Sequence, residues 1–332
     1  MASLSSKTHG NNLRNAVVAL LAPLPSIFFY LSFLRHYSTA EADSLSPLWA
    51  WCYSHPLLLA NILFFLNVNL LFWLVGLLQS SHWMIDLYWT VIPVLLVHYF
   101  ATHPLAEYNA WRSSLVIFLT WVWSVRLTHS YFRREKWQFG AREDWRFSDM
   151  RLQYGKNWWW ASFFAVYLSQ QVIALFHMGF PDGYMLASLR CPLKRQAIEH
   201  LGFFALVCLT GVTIVFDTQL HNFVSRNEKL KQLGEALVPN LDEGLWHYSR
   251  HPNYFGEQLW WWGLVIFAWN LEYGRMFIGA LINSLCLAYV SEELKQQYRA
   301  ENTRTTRKNS CGGLWGLGEL KDAASEMHCV KI

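Results

Sequence analysis

The chain has 332 residues and a net charge of +4; 53% of its residues are hydrophobic, only 15% are charged, and 19 are tryptophan. A soluble domain carries more charge than this on its surface, so the composition excludes an ordinary water-soluble enzyme and points to a membrane protein. The basic residues are spread between apolar runs and form no aromatic-interleaved basic face, which excludes a nucleic-acid-binding module.

Residues 1–15 read as a polar N-terminal tail with Lys7 and Arg14, without a cleavable leader. A membrane span needs about 20 mostly apolar residues. Runs of that kind occupy 16–34, 57–78, 84–102, 115–131, 157–178 and 197–224, and two closer ones fill 253–269 and 275–290. The expected architecture is therefore all-α: a polytopic membrane helix bundle of about eight transmembrane helices over residues 16–300. The basic loops around Arg133–Lys156, Arg226–Lys231 and Lys295–Lys308 then share one side with the N-terminus. The positive-inside rule makes that side cytoplasmic, with both termini there; the loop carrying Arg190, Lys194 and Arg195 runs against it. Residues 301–332 read as a flexible polar tail. Its last four residues, Cys329-Val-Lys-Ile, have the outline of a prenylation box. The six cysteines show neither CxxC nor metal-like spacing, so no disulfide framework and no metal site is expected.

Polar residues inside apolar runs are expensive and mark function. Asn67 and Asn69 interrupt the second run, Asp86 opens the third with Tyr88 close behind, and Arg126 lies within the fourth. Asn67, Asn69, Asp86 and Tyr88 can line a substrate cavity, which makes Asp86 and Tyr88 the candidate catalytic residues. Asp86 can equally be an N-cap or an interfacial carboxylate. The run Arg142-Glu-Asp144-Trp-Arg146 has the mixed charge of a solvated loop. Asp217 sits near the end of the sixth run, with His221 one turn on. It can accept from ribose hydroxyls or an adenine amine, or pair with His221 or Arg226.

The densest signal is Gly244 to Gly263, GLWHYSRHPNYFGEQLWWWG. Pro252 suits the first turn of a helix, where its missing N–H costs nothing. A helix starting there aims its N–H groups and positive dipole end at the boundary, just beyond Arg250 and His251. Asn253, Glu257, Trp260 and Leu264 share one face of that helix. An anion clamp above a polar and aromatic stripe suits a nucleotide-like ligand; the alternative is an interfacial anchor with snorkelling Arg250. His247 and His251 have i,i+4 spacing, but Pro252 places them ahead of the helix and Arg250 repels a cation, so no metal is expected.

Gly244-Leu-Trp246-x-Tyr-Ser-Arg250-His251-Pro-Asn253-Tyr254-Phe-Gly-Glu257 resembles the steroid 5-alpha-reductase C-terminal superfamily, in its membrane oxidoreductase branch. Further matches are the patch around Arg126, Asp144-Trp-Arg146-Phe, and Asp217-x-Gln219 with Phe223. The resemblance implies an endoplasmic-reticulum enzyme that binds NADPH from the cytoplasmic side through residues 115–300. It implies hydride transfer to a carbon–carbon double bond of a steroid or other lipid. On it, Trp246, Arg250, His251, Asn253, Tyr254 and Glu257 contact the cofactor, and Arg126, Asp144, Arg146 and Asp217 complete the pocket. The Glu and Tyr pair that polarises the substrate in the steroid reductases has no clear counterpart. Ser291-Glu292-Glu293 departs from the branch and is similar to membrane methyltransferases of the isoprenylcysteine carboxyl type, which use S-adenosylmethionine. A non-catalytic scaffold with a reductase-like fold is the third reading.

Overall fold

The computed structural model describes residues 2–39, 46–106, 110–169, 196–238, 241–247 and 252–270, with isolated positions within 277–288. The described residues are helical and include no strand. The α-helices among the described residues are α1 (Ala2–Leu21), α2 (Leu24–Thr39), α3 (Pro47–Ser54), α4 (Pro56–Phe64), α5 (Phe72–Gln79), α6 (Trp83–Thr102), α7 (Ala110–Arg134), α8 (Trp145–Tyr154), α9 (Trp158–Ser162), α10 (Gln196–Leu233) and α11 (Pro252–Asn270). Phe65–Leu71 and Phe163–Leu168 are π-helical.

Among the described residues three stretches are long and apolar enough to cross a membrane: Asn11–Thr39, Pro56–Gln79 and Trp83–Thr102. The other expected crossings do not meet that measure among the described residues, and much of the fifth and eighth lies outside them. α1 begins at Ala2, so most of the stretch read as a polar tail is helical.

The chain divides into two compact units, residues 1–210 with 260–280, and residues 211–259 with 281–332; the divisions fall inside α10 and α11. In the first unit α6 is the central helix, with Trp83, Met84, Ile85, Leu87, Tyr88 and Ile92 in one core cluster. Its far end joins a second cluster with Phe33, Cys52, Leu59, Tyr99 and Phe100. Leu119 and Trp123 of α7 pack on Trp260 of α11, and the Trp123 and Trp260 rings stack at 6.0 Å.

Asn67 and Asn69 are both buried in the core, Asn69 completely. Asn67 donates to the Ala22 carbonyl at 2.6 Å, at the break between α1 and α2. Pro23 explains that break, because it lacks the N–H that Ala19 would receive in a continuous helix. The orphaned Ala19 carbonyl accepts the Tyr88 hydroxyl instead. A buried carbonyl left without a donor costs about 1–3 kcal/mol. Tyr88→Phe is therefore expected to lower the melting temperature in detergent, a loss of about 1–2 kcal/mol. An unchanged melting temperature with lost turnover would instead place the Tyr88 hydroxyl at a substrate.

Candidate functional site

In the first unit the charged residues gather where α6 begins and α7 ends. Asn12 and Asn15 of α1 hold the connecting loop there. Asn12 Oδ1 accepts the Phe139 N–H at 2.7 Å and Asn15 Nδ2 donates to the Phe139 carbonyl at 2.9 Å. Glu135, 4% exposed, receives Arg134 and Arg142, with Nε–O distances of 3.0 and 3.1 Å. Glu143 accepts the His82 N–H at 2.7 Å and is gripped by Arg151 Nη2 at 2.9 and 2.8 Å. Asp144 caps α8 by accepting the Arg146 N–H at 2.8 Å, and Arg146 Nε and Nη2 return to it at 2.9 and 2.7 Å. This run is therefore no solvated loop: each carboxylate is satisfied by an arginine and, at Glu143 and Asp144, by a backbone N–H.

Asp86 sits in the first turn of α6, whose N-cap is His82, so it is not the cap. Its carboxylate accepts the Asp144 backbone N–H and feels the charges of Asp144, Arg134 and Arg146. The fold thus brings Asp86, Asp144 and Arg146 together. Tyr88 follows two residues later on α6, and its hydroxyl donates to the Ala19 carbonyl. Arg126 is buried on α7, one turn beyond Trp123.

The electrostatics follow from burial. For Asp144, burial works to raise the pKa, but the hydrogen bonds and charge of Arg146 outweigh it and hold the carboxyl below its ordinary range. For Glu143 burial wins over the His82 N–H and Arg151, and its pKa is raised. His82, 2% exposed, is driven down from 6.5 to about 4, first by burial and then by the Arg151 charge. Its Nδ1 lies 2.9 Å from the Tyr167 hydroxyl.

His82 makes the fold acid-sensitive. The unfolded chain protonates it near pH 6.5 and the folded chain only near 4, so the unfolded state binds more protons in that window and stability falls as pH drops. The depressed Asp144 adds a loss of the same sign at more acid pH, and the raised Glu143 opposes it. Acidification from pH 7 to 5 is expected to cost about 2 kcal/mol. Thermal melts across that range measure it, and a flat profile would contradict the burial argument.

In the second unit the Gly244–His247 turn lies on α10. Trp246 is buried, and its Nε1 donates to the Phe216 carbonyl at 3.4 Å. Gly244 has φ +62, and a Cβ there would run into the Gln219 amide, 3.0 Å from its Cδ. The positive φ favours glycine here, and the absent side chain leaves room for the Gln219 amide. The Gln219 Oε1 is buried and has no hydrogen-bond partner among the described residues. Asp217, half-buried, stands two residues away on the same helix. Arg226 reaches Glu243 at 3.5 Å, and His247 Nδ1 lies 2.8 Å from Asp242. α11 starts at Pro252, as its first-turn proline requires, and Tyr254 and Glu257 on it are half-buried. Arg250 and His251 lie outside the described residues, as does the side chain of Asn253. Among the described residues no group of three metal-ligating side chains occurs.

Sequence reasoning passed over His82, Arg151 and Tyr167, since nothing in their spacing marks them. It quoted Gln219 and Gly244 only as parts of motifs and did not see that they meet. The glycine at the head of the long motif was the available signal.

These features define a membrane-embedded helical protein with one polar cluster in each of its two units. Residues 72–309 match a family described as a protein of unknown function, DUF1295, and the chain belongs to that family. An uncharacterized protein of Schizosaccharomyces pombe is 25% identical over 274 residues, which are 78% of this chain and 75% of that protein. No solved structure matches.

Proposed function

We propose that this protein is a membrane oxidoreductase that uses NADPH to reduce a carbon–carbon double bond of a steroid or other lipid. On this reading it is an eight-span protein of the endoplasmic reticulum with its cofactor side facing the cytoplasm. The observation that carries the reading is the seat formed by Gln219 of α10 and the Gly244–Trp246 turn, a few residues ahead of the α11 start.

The donor set fits a dinucleotide. A buried amide oxygen without a partner among the described residues accepts hydrogen bonds, which suits ribose hydroxyls or an amide N–H. The missing Cβ at Gly244 lets the backbone turn approach α10 closely. The α11 start, with Arg250 and His251 just ahead of it, suits phosphate oxygens. Asn253, Tyr254 and Glu257 follow on its first two turns, and Trp246 offers an aromatic wall. Arg126, Asp144, Arg146 and Asp217 are assigned to the cofactor by the resemblance alone, and Asp86 and Tyr88 to the substrate by their place in the third apolar run. Bound NADPH would supply a hydride; the protein's part is to hold it, exclude water and place the lipid against it.

The test is binding by the detergent-purified protein of NADPH and of S-adenosylmethionine, for the wild type and for Asn253→Ala, Glu257→Ala and Arg250→Ala. Saturable NADPH binding is expected, with Arg250→Ala weakening it about tenfold through a lost charged contact to phosphate. Saturable S-adenosylmethionine binding without NADPH binding would make the protein a methyltransferase. Binding of neither would favour the scaffold.

A further inference from the structure

One acid of the polar cluster in the first unit is left over once its ion pairs are drawn. Glu135 holds Arg134 and Arg142, Asp144 holds Arg146, and Glu143 holds Arg151. Asp86 makes no ion pair among the described residues, and the group that reaches its carboxyl is the Asp144 backbone N–H. α6 packs against α7, and the last turns of α7 bring up Tyr131. That residue is 6% exposed, and its hydroxyl is buried with no hydrogen-bond partner among the described residues. The Arg134 guanidinium lies 5.5 Å over the Tyr131 ring and is itself tied to Glu135. The Asp86 charge acts on Tyr131, yet no hydrogen bond joins the two. A buried hydroxyl left unanswered works against folding, so this one points to a ligand.

The group that fits between them is narrowly defined. A carboxylate accepts, a carboxylic acid also donates, and a phenol hydroxyl does either. A ligand hydroxyl therefore answers both partners whether or not Asp86 carries a proton. A ketone only accepts, so it answers Tyr131 but meets an ionised Asp86 with a second acceptor. The surroundings suit a lipid. Asp86 lies at the start of the apolar stretch Trp83–Thr102, and Tyr131 belongs to the core cluster that holds Trp83, Met84, Tyr88 and Phe147. An amphiphile keeps its polar group at such a boundary and its body in the apolar layer, because sinking the polar group deeper costs desolvation.

We propose that Asp86 and Tyr131 together bind the hydroxyl of a lipid alcohol, so that the substrate is an alcohol rather than a ketone. The proposal rests on the reductase reading only in calling that lipid a substrate. The experiment is native mass spectrometry of the full-length protein in detergent with NADPH and with cholestanol or cholestanone, which share a saturated ring system and differ at one oxygen. The wild type is expected to retain cholestanol about tenfold better than cholestanone. Tyr131→Phe is expected to weaken cholestanol about tenfold without lowering the melting temperature of the ligand-free protein, since it removes an unanswered group. Asp86→Asn keeps an acceptor for the Asp144 N–H and adds a donor, so it is expected to admit cholestanone and level the preference. Equal retention of the two sterols by the wild type, or unaltered cholestanol retention in Tyr131→Phe, would mean that water alone bridges the pair and would overturn the proposal. So would a Tyr131→Phe variant that keeps cholestanol and loses NADPH, which would assign the pair to the cofactor. A wild type that prefers cholestanol and binds no NADPH upholds the alcohol site and overturns the reductase reading; one that binds NADPH without a sterol preference does the reverse.

Discussion

Gly76→Ala is expected to destabilise the first unit strongly. The new Cβ would press into the His82 ring, 2.9 Å from the Tyr167 hydroxyl and 3.0 Å from His82 Cε1. Neither neighbour can step aside. His82 is tied through its backbone to Glu143 and through its ring to Tyr167, and Tyr167, fully buried, also donates to the Phe72 carbonyl at 3.2 Å. Overpacking of a closed core costs about 1–3 kcal/mol, and here it also strains two hydrogen bonds, so a loss near about 3 kcal/mol is expected. Thermal melts of the purified variant measure it. A loss below about 0.5 kcal/mol, the range of surface substitutions, would show that the ring has room to move.

Glu143→Ala ranks second. It removes the acceptor of the His82 N–H and leaves Arg151 without its two-point partner. Breaking a buried pair costs about 3–5 kcal/mol, but Arg151 is 37% exposed and water can cover part of its charge, so about 2–3 kcal/mol is expected. Glu143→Gln separates the causes. Burial raises the Glu143 pKa in spite of Arg151, so its negative charge is poorly supported, and a neutral amide that still accepts the His82 N–H is expected to cost less than half as much. If melting temperatures fall equally for both variants, the charge rather than the hydrogen bond holds the turn between α5 and α6.

The candidate site was legible in unequal parts. Pro252 announced the start of α11, because a residue without an N–H is at home in a first turn. Asp144 and Arg146 were found as motif residues, but the mixed charge around them read as solvated loop. In the fold, Asp144 is the cap of α8, and its neighbour Glu143 reaches across to His82, 61 residues earlier in the chain. Asn67 and Asn69 drew attention as polar residues in an apolar run. Asn67 answers a backbone need: it donates to a carbonyl 45 residues away at the Pro23 break. Gln219 and Gly244 were both in view as separate motif elements, and only their contact makes a seat of them.

The sequence by itself determined the class of structure and the places where polar residues sit at a cost. Length of apolar run, helix punctuation by proline and glycine, and charge at run ends are local properties, and they are written in residue order. What the tertiary structure decided is which polar group answers which. Tyr88 meets Ala19, Glu143 meets His82 and Arg151, and Gln219 meets Gly244 because particular helix faces come together. In a dry interior an unanswered donor or acceptor costs as much as several buried methylenes. The same residue is therefore a functional candidate or a structural clasp according to its neighbour, and neighbours in space carry no mark in the order of the chain.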